Sequence, residues 1–208
     1  MSRPRLKICG ITRQRDALLA SSLGVHALGF IFFSKSPRYI KPRRAREIIS
    51  KIPPFVQTVG VFVGEEKEKI REIAKFCNLN IIQLHYKESP KFCEELGLPV
   101  IKAFRMKDKD TLKILPEYKG KVKGFLLDTY KKGEPGGTGE TFNWDLAIKA
   151  KDFGTPIILA GGLRPDNIKS AIETVRPYGL DVNSGVEKTP GIKDAKLIRE
   201  LIDIWRKF

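Results

Sequence analysis

The stretch Lys7-Ile8-Cys9-Gly10-Ile11-Thr12 reads as a strand that runs into a tight turn and then a helix, and the number of times this pattern returns decides the fold. Leu6, Ile8 and Ile11 are strand formers and Gly10 permits a sharp bend. Thr12 is placed to cap a helix opening at Arg13 by accepting a backbone N–H. Outward from there, short apolar runs near 5–9, 26–32, 56–63, 80–85, 99–103, 122–128, 156–160 and 179–183 have the character of strands. Amphipathic stretches near 13–23, 42–51, 66–77, 90–96, 108–115, 143–150, 165–174 and 194–206 lie between and after them. Pro42 and Pro165 suit first-turn helix positions, and Gly24 and Gly97 suit helix ends. Eight strand–helix units in 208 residues predict an α/β fold, a single-domain (β/α)8 TIM barrel over residues 1–208 with little insertion. A doubly wound open sheet competes with it, but that architecture usually has fewer strands, and no G-x-G-x-x-G follows the first strand.

Charge narrows the partners. A formal net charge of +15 asks for an anion, either a nucleic acid or a small phosphorylated or carboxylated molecule. The basic residues are dispersed. Their one local cluster, Lys41-Pro42-Arg43-Arg44-Ala45-Arg46, falls at helical spacing on a solvated face, and no contiguous basic stripe with exposed aromatics is present. A small phosphorylated or carboxylated substrate is therefore expected, and no nucleic acid. No apolar run approaches the roughly 20 residues that span a bilayer, so no membrane association is expected. Cys9, Cys77 and Cys93 are an odd number without C-x-x-C spacing, which argues against a disulfide framework or zinc site and fits a reduced, cytoplasmic setting.

The thiol of Cys9 sits at a strand's carboxyl end, where barrels assemble ligand sites. Side chains alternate along a barrel strand, so Lys7 shares a face with Cys9, Gln83 with His85, Leu126 with Asp128, and Asp181 with Asn183. A carboxylate such as Asp128 at a strand end serves either chemistry or a local cap. Ala160-Gly161-Gly162-Leu163 and Asn183-Ser184-Gly185-Val186 end the seventh and eighth strands, where barrels commonly bind phosphate. Of the two histidines, His26 precedes its strand's apolar run and is left out of the site, whereas His85 is kept as a supporting residue.

With these residues in view the chain resembles the phosphoribosylanthranilate isomerase family, from about Leu6 to Leu201. The resemblance is carried by K-I-C-G-I-T at 7–12, G-F-I-F-F-S-K-S-P-R-Y-I at 29–40, V-G-V-F-V at 59–63, Q-L-H at 83–85 and L-L-D-T at 126–129. G-G-T-G-E-T-F-N-W at 136–144, S-G-V-E at 184–187 and P-G-I-K-D at 190–194 continue it in the family's order. Tyr86 departs from the glycine common after the Q-L-H histidine. The resemblance implies a step of tryptophan biosynthesis, the Amadori rearrangement of N-(5-phosphoribosyl)anthranilate to 1-(o-carboxyphenylamino)-1-deoxyribulose 5-phosphate, with no cofactor. It further implies Asp128 as the general acid and Cys9 as the general base. Arg38, after Ser36-Pro37, is suited to grip the anthranilate carboxylate, with Lys35 nearby. Gln83, His85 and Asp181 support substrate binding, Asp181 by pairing with Lys7, and Gly161, Gly162, Ser184 and Gly185 hold the phosphate.

Three further expectations follow. Thr129 to Thr141 reads as a lid. Lys7 is expected to favour the Cys9 thiolate, and an apolar strand end to keep Asp128 protonated. Phe55, on the stiff Ile52-Pro53-Pro54 turn at the barrel's bottom, is either a homodimer contact or tucked under its own helix. Indole-glycerol-phosphate synthase, a phosphate-binding barrel of neighbouring chemistry, is the alternative; it calls for a catalytic lysine and glutamates at strand ends, where this chain offers a cysteine and an aspartate.

Overall fold

The computed structural model describes residues 3–129 and 144–208. Apart from Thr129, the segment read as a lid lies outside them, as does most of the 136–144 motif. The chain alternates β1 (Arg5–Ile8), α1 (Gln14–Ser22), β2 (Ala27–Ile31), α2 (Pro42–Ile49), β3 (Gln57–Phe62), α3 (Lys67–Cys77), β4 (Ile81–Leu84) and α4 (Pro90–Glu95). It continues through β5 (Val100–Met106), α5 (Asp110–Ile114), β6 (Gly124–Thr129), α6 (Trp144–Ala150), β7 (Ile157–Leu159), α7 (Pro165–Val175) and β8 (Gly179–Val182). A short hairpin, β9 (Glu187–Thr189) and β10 (Ile192–Lys193), precedes α8 (Ala195–Trp205). The first eight strands are parallel and close in chain order, β8 pairing with β1. This is the (β/α)8 barrel that the sequence predicts. No helix among the described residues is long and apolar enough to cross a membrane.

Two opposite demands on each strand make the closed sheet work. Outward residues such as Leu6, Ile8, Leu28, Phe30, Phe125 and Leu127 pack beneath the helices in one continuous apolar core. Inward residues face one another across the barrel. Ile101, Ala103, Leu126, Ile158 and Ala160 form one interior cluster, and Cys9, Ile31 and Val61 another. Lys7, Gln83 and Asp181 are also buried. Barrel interiors are ordinarily filled by branched aliphatics, so three polar side chains in this one mark where packing has given way to function.

The foot of the barrel is closed by Trp205, which is 1% exposed and donates its indole N–H to the Pro4 carbonyl at 2.8 Å. His26 packs edge-on against that ring and accepts from the Leu6 amide at 3.2 Å, a structural role at the end opposite the predicted chemistry. The basic residues of α2 are solvated, with Arg44 paired to Glu47 at 2.8 Å. Pro42 and Pro165 open their helices, and Gly24 and Gly97 take positive φ at helix ends, as the sequence suggests.

Thr12 corrects the sequence reading. The N-cap of α1 is Arg13, with no side-chain cap bond. Instead the Thr12 hydroxyl donates to the Gly191 carbonyl, nearly the whole chain length away. The carboxylate of Asp16 accepts from Arg13 Nε at 2.8 Å and from the Lys193 amide at 3.1 Å. The turn after β1 is thus fastened to the β9–β10 hairpin, and the hydroxyl serves a tertiary contact in place of a helix end.

Candidate active site

A cavity of about 800 Å³ opens at the carboxyl ends of the barrel strands, lined among others by Cys9, Arg38, Gln83, His85, Asp128 and Asp181. Gly161, Gly162, Ser184 and Lys35 also border it. The structure therefore brings the sequence-predicted residues together from loops and strands spread over the whole chain. Gly185 is set just behind the lining. A Cβ there would lie 1.9 Å from the Leu163 carbonyl oxygen, so the turn after β8 packs backbone on backbone against the turn after β7. Asn167 braces the second turn, donating to the Gly162 carbonyl at 2.8 Å.

At the centre, Lys7 Nζ donates to Asp181 Oδ2 at 2.8 Å and to Gln83 Oε1 at 2.9 Å, joining β1 to β8 beside it and to β4 across the barrel. That second bond fixes the Gln83 amide with its NH₂ toward His85, 2.6 Å from Nε2. His85 Nε2 must then accept, which makes the imidazole neutral with its proton on Nδ1. Electrostatics agree: burial first, then Lys7, Lys102 and Arg105, hold the His85 pKa down at about 3. Asp181 Oδ1 is buried at the cavity wall without a protein partner among the described residues.

Burial works against the Lys7 charge, but Asp181 and Cys9 outweigh it and hold the ammonium above its ordinary value. For Cys9 the balance falls the other way. Burial pushes the thiol up, Lys7 pulls it down, and Asp181 pushes it up again, leaving a net rise. Lys7 thus favours the thiolate, as expected, but burial outweighs it, so the free thiol is not made more acidic overall. Cys77 and Cys93, in α3 and α4, are also buried and pushed up to about 11. On the far side of the site, the β5–β6 register sets Arg105 opposite Asp128.

Three residues of this centre had no role in the sequence reading. Gly29 faces inward on β2, where a Cβ would come within 2.6 Å of Cys9 Sγ and 3.0 Å of Lys7 Cε. An isolated glycine within a strand is the signal for such a close approach. Glu187 and Lys193 belong to quoted motifs, but nothing local reveals what they join: Glu187 accepts from Arg38, 149 positions before it, and Lys193 donates to Glu187.

A family model for N-(5'-phosphoribosyl)anthranilate (PRA) isomerase matches residues 6–204. The chain belongs to this family. The N-(5'-phosphoribosyl)anthranilate isomerase of Geotalea uraniireducens is 54% identical over 198 residues, covering 95% of this chain and 96% of the relative. A crystal structure of monomers generated from the dimeric phosphoribosylanthranilate isomerase of Thermotoga maritima superposes with a TM-score of 0.89 at 39% identity, over 99% of this chain and 100% of that one. A phosphoribosylanthranilate isomerase in complex with reduced 1-(o-carboxyphenylamino)-1-deoxyribulose 5-phosphate gives 0.89 at 40% identity, with 99% and 100% covered. Membership in the isomerase family leaves the indole-glycerol-phosphate synthase alternative without support.

The depressed His85 pKa has a consequence for stability. In the unfolded chain this group titrates near its ordinary 6.5, in the folded one near 3. Unfolded protein therefore takes up the proton first as pH falls, and the stability His85 provides is complete above 6.5 and lost on the way down to 3. Replacing His85 by Gln should flatten part of the decline in Tm across that interval. An unchanged pH dependence of Tm in the variant would contradict the neutral assignment.

Proposed function

We infer that this protein catalyses the rearrangement of N-(5-phosphoribosyl)anthranilate to 1-(o-carboxyphenylamino)-1-deoxyribulose 5-phosphate, a step of tryptophan biosynthesis, in the cytoplasm. The observation that carries this reading is the convergence of Cys9, Asp128 and Arg38 on one cavity in a chain of this family. The reaction moves hydrogen within one molecule, so its balance calls for neither a redox cofactor nor a metal.

In this reading the phosphate rests on the turns at Gly161-Gly162 and Ser184-Gly185, and the ring carboxylate meets Arg38. Asp128, as its carboxylic acid, protonates the ribose ring oxygen while the ring opens to a Schiff base. Cys9, as thiolate, then removes the C2′ proton to give an enolamine, which tautomerises to the aminoketose. The acid must hold a proton while the base lacks one. Burial favours the thiol in the free site. The positive charge that develops on the Schiff-base nitrogen opposes that preference and favours the thiolate during the reaction. Asp181 Oδ1, a buried acceptor at the cavity wall, is suited to a substrate hydroxyl. Neutral His85 supports binding through Gln83 without taking part in proton transfer.

Phe55 is 93% exposed, on the loop between α2 and β3 at the foot of the barrel, so it is not tucked under its helix. An exposed aromatic on a stiff turn is suited to a second copy of the chain, and the reading here is a homodimer. Sedimentation should give a dimer for the native chain and a shift toward monomer for Phe55→Ser. A native monomer at all accessible concentrations would remove that reading.

Purified protein supplied with N-(5-phosphoribosyl)anthranilate and no cofactor should form product; folded protein without turnover would overturn the assignment. Asp128→Asn should lower kcat by about 100-fold or more while KM changes little, since the acid acts as charge moves in the transition state. Arg38→Ala should instead raise KM, with a binding loss of about 1.5–3 kcal/mol for a charge-assisted bond. A near-native kcat in the first variant, or an unchanged KM in the second, would put the acid or the carboxylate grip elsewhere.

A further inference from the structure

The hairpin β9–β10 carries two charged residues that the proposed chemistry does not use. Glu187 and Lys193 belong to the S-G-V-E and P-G-I-K-D motifs, and the side chains of both are almost completely buried, at 4% and 0% exposure. Glu187 faces Arg38. Arg38 Nε donates to Oε1 and Oε2, both at 3.0 Å, and Nη2 donates to Oε2 at 2.8 Å. Lys193 Nζ donates to Glu187 Oε1 at 2.9 Å and to the backbone and side-chain oxygens of Asn183, both at 3.0 Å. All three ammonium hydrogens are therefore committed, and Lys193 has none to offer a ligand. The Gly191 amide adds a further bond to Glu187 at 3.1 Å.

Arg38 is consequently held by one edge of its fork, Nε with Nη2. Among the described residues the opposite edge, Nη1 with the second hydrogen of Nη2, has no partner, and the residue borders the cavity. The stem is held too: a Cβ on Gly10 would sit 3.0 Å from Arg38 Cδ, so the arginine lies directly on the turn that follows Cys9. Arg38 and Lys193 against Glu187 leave one net positive charge at the wall, which matches a single carboxylate.

We propose that Glu187, itself fixed by Lys193, is a positioning residue that holds the Arg38 guanidinium with its free edge toward the substrate carboxylate, making the β9–β10 hairpin part of the specificity apparatus. This rests on the carboxylate-binding role given above to Arg38. An arginine free to rotate would lose much of its bidentate alignment, and that loss would appear in ground-state binding more than in the chemical step.

The test is a double-mutant cycle on kcat and KM for N-(5-phosphoribosyl)anthranilate, with Arg38→Met, Glu187→Gln and the pair together. Glu187→Gln should raise KM about tenfold with kcat within about twofold, and should add nothing to the KM of Arg38→Met. A native KM in Glu187→Gln, or effects that multiply in full, would overturn the proposal. An unchanged KM in Arg38→Met would instead remove the carboxylate role of Arg38 and the proposal with it. Glu187→Asp keeps the charge but shortens the reach, and it serves if Glu187→Gln does not fold. A raised KM supports positioning, whereas full recovery of the native KM would reduce Glu187 to charge balance and overturn the proposal.

Discussion

The ion pair between Lys7 and Asp181, 2.8 Å long and sealed inside the barrel, is the constraint on which the rest of the site depends. Two charges withdrawn from water are costly unless their remaining hydrogen-bonding capacity is met. Lys7 meets it partly through Gln83, which in turn fixes the tautomer of His85, so one ammonium orders three side chains, Asp181 on β8 and Gln83 and His85 on and just beyond β4. Gly29 leaves the room that this lysine and the Cys9 thiol require. The branched side chains that stabilise most barrel interiors are displaced here by an electrostatic arrangement.

Around that pair the site divides its labour by charge. Lys7 pulls the thiol down and Asp181 pushes it up, but burial is the largest influence and leaves it raised and protonated at rest. The group is then sensitive to any new charge in the cavity, and a substrate that develops a cation on ring opening supplies one. Arg38 is treated differently. Its guanidinium is charged in every state, so the structure spends Glu187 and Lys193 on its direction, with no need to adjust its ionisation.

The parts of this arrangement legible in the sequence are those governed by short periods. Alternation along a strand placed Lys7 with Cys9, Gln83 with His85, and Asp181 with Asn183, and the spacing of apolar runs gave all eight strands near their observed positions. What was not legible depends on which strands and loops become neighbours. Thr12 has the chemistry of a cap, but the Gly191 carbonyl that claims its hydroxyl is 179 positions away. Lys7 beside Cys9 suggested an acidic thiol, but burial inside the closed barrel outweighs the lysine, and Asp181, set against Lys7 by the β1–β8 register, adds to the rise. The bond from Arg38 to Glu187 likewise joins two loops that only the closed barrel brings together.

Burial holds Cys9 as a thiol, with Lys7 opposing. In protein carrying Ala at positions 77 and 93, ultraviolet thiolate absorbance against pH reports the ionisation of Cys9 alone. The apparent pKa should lie above the ordinary 9.0 without ligand and rise further when Lys7 is replaced by Met. A value below 9.0, or the same value with and without Lys7, would contradict the claim that burial holds the thiol protonated against the pull of Lys7.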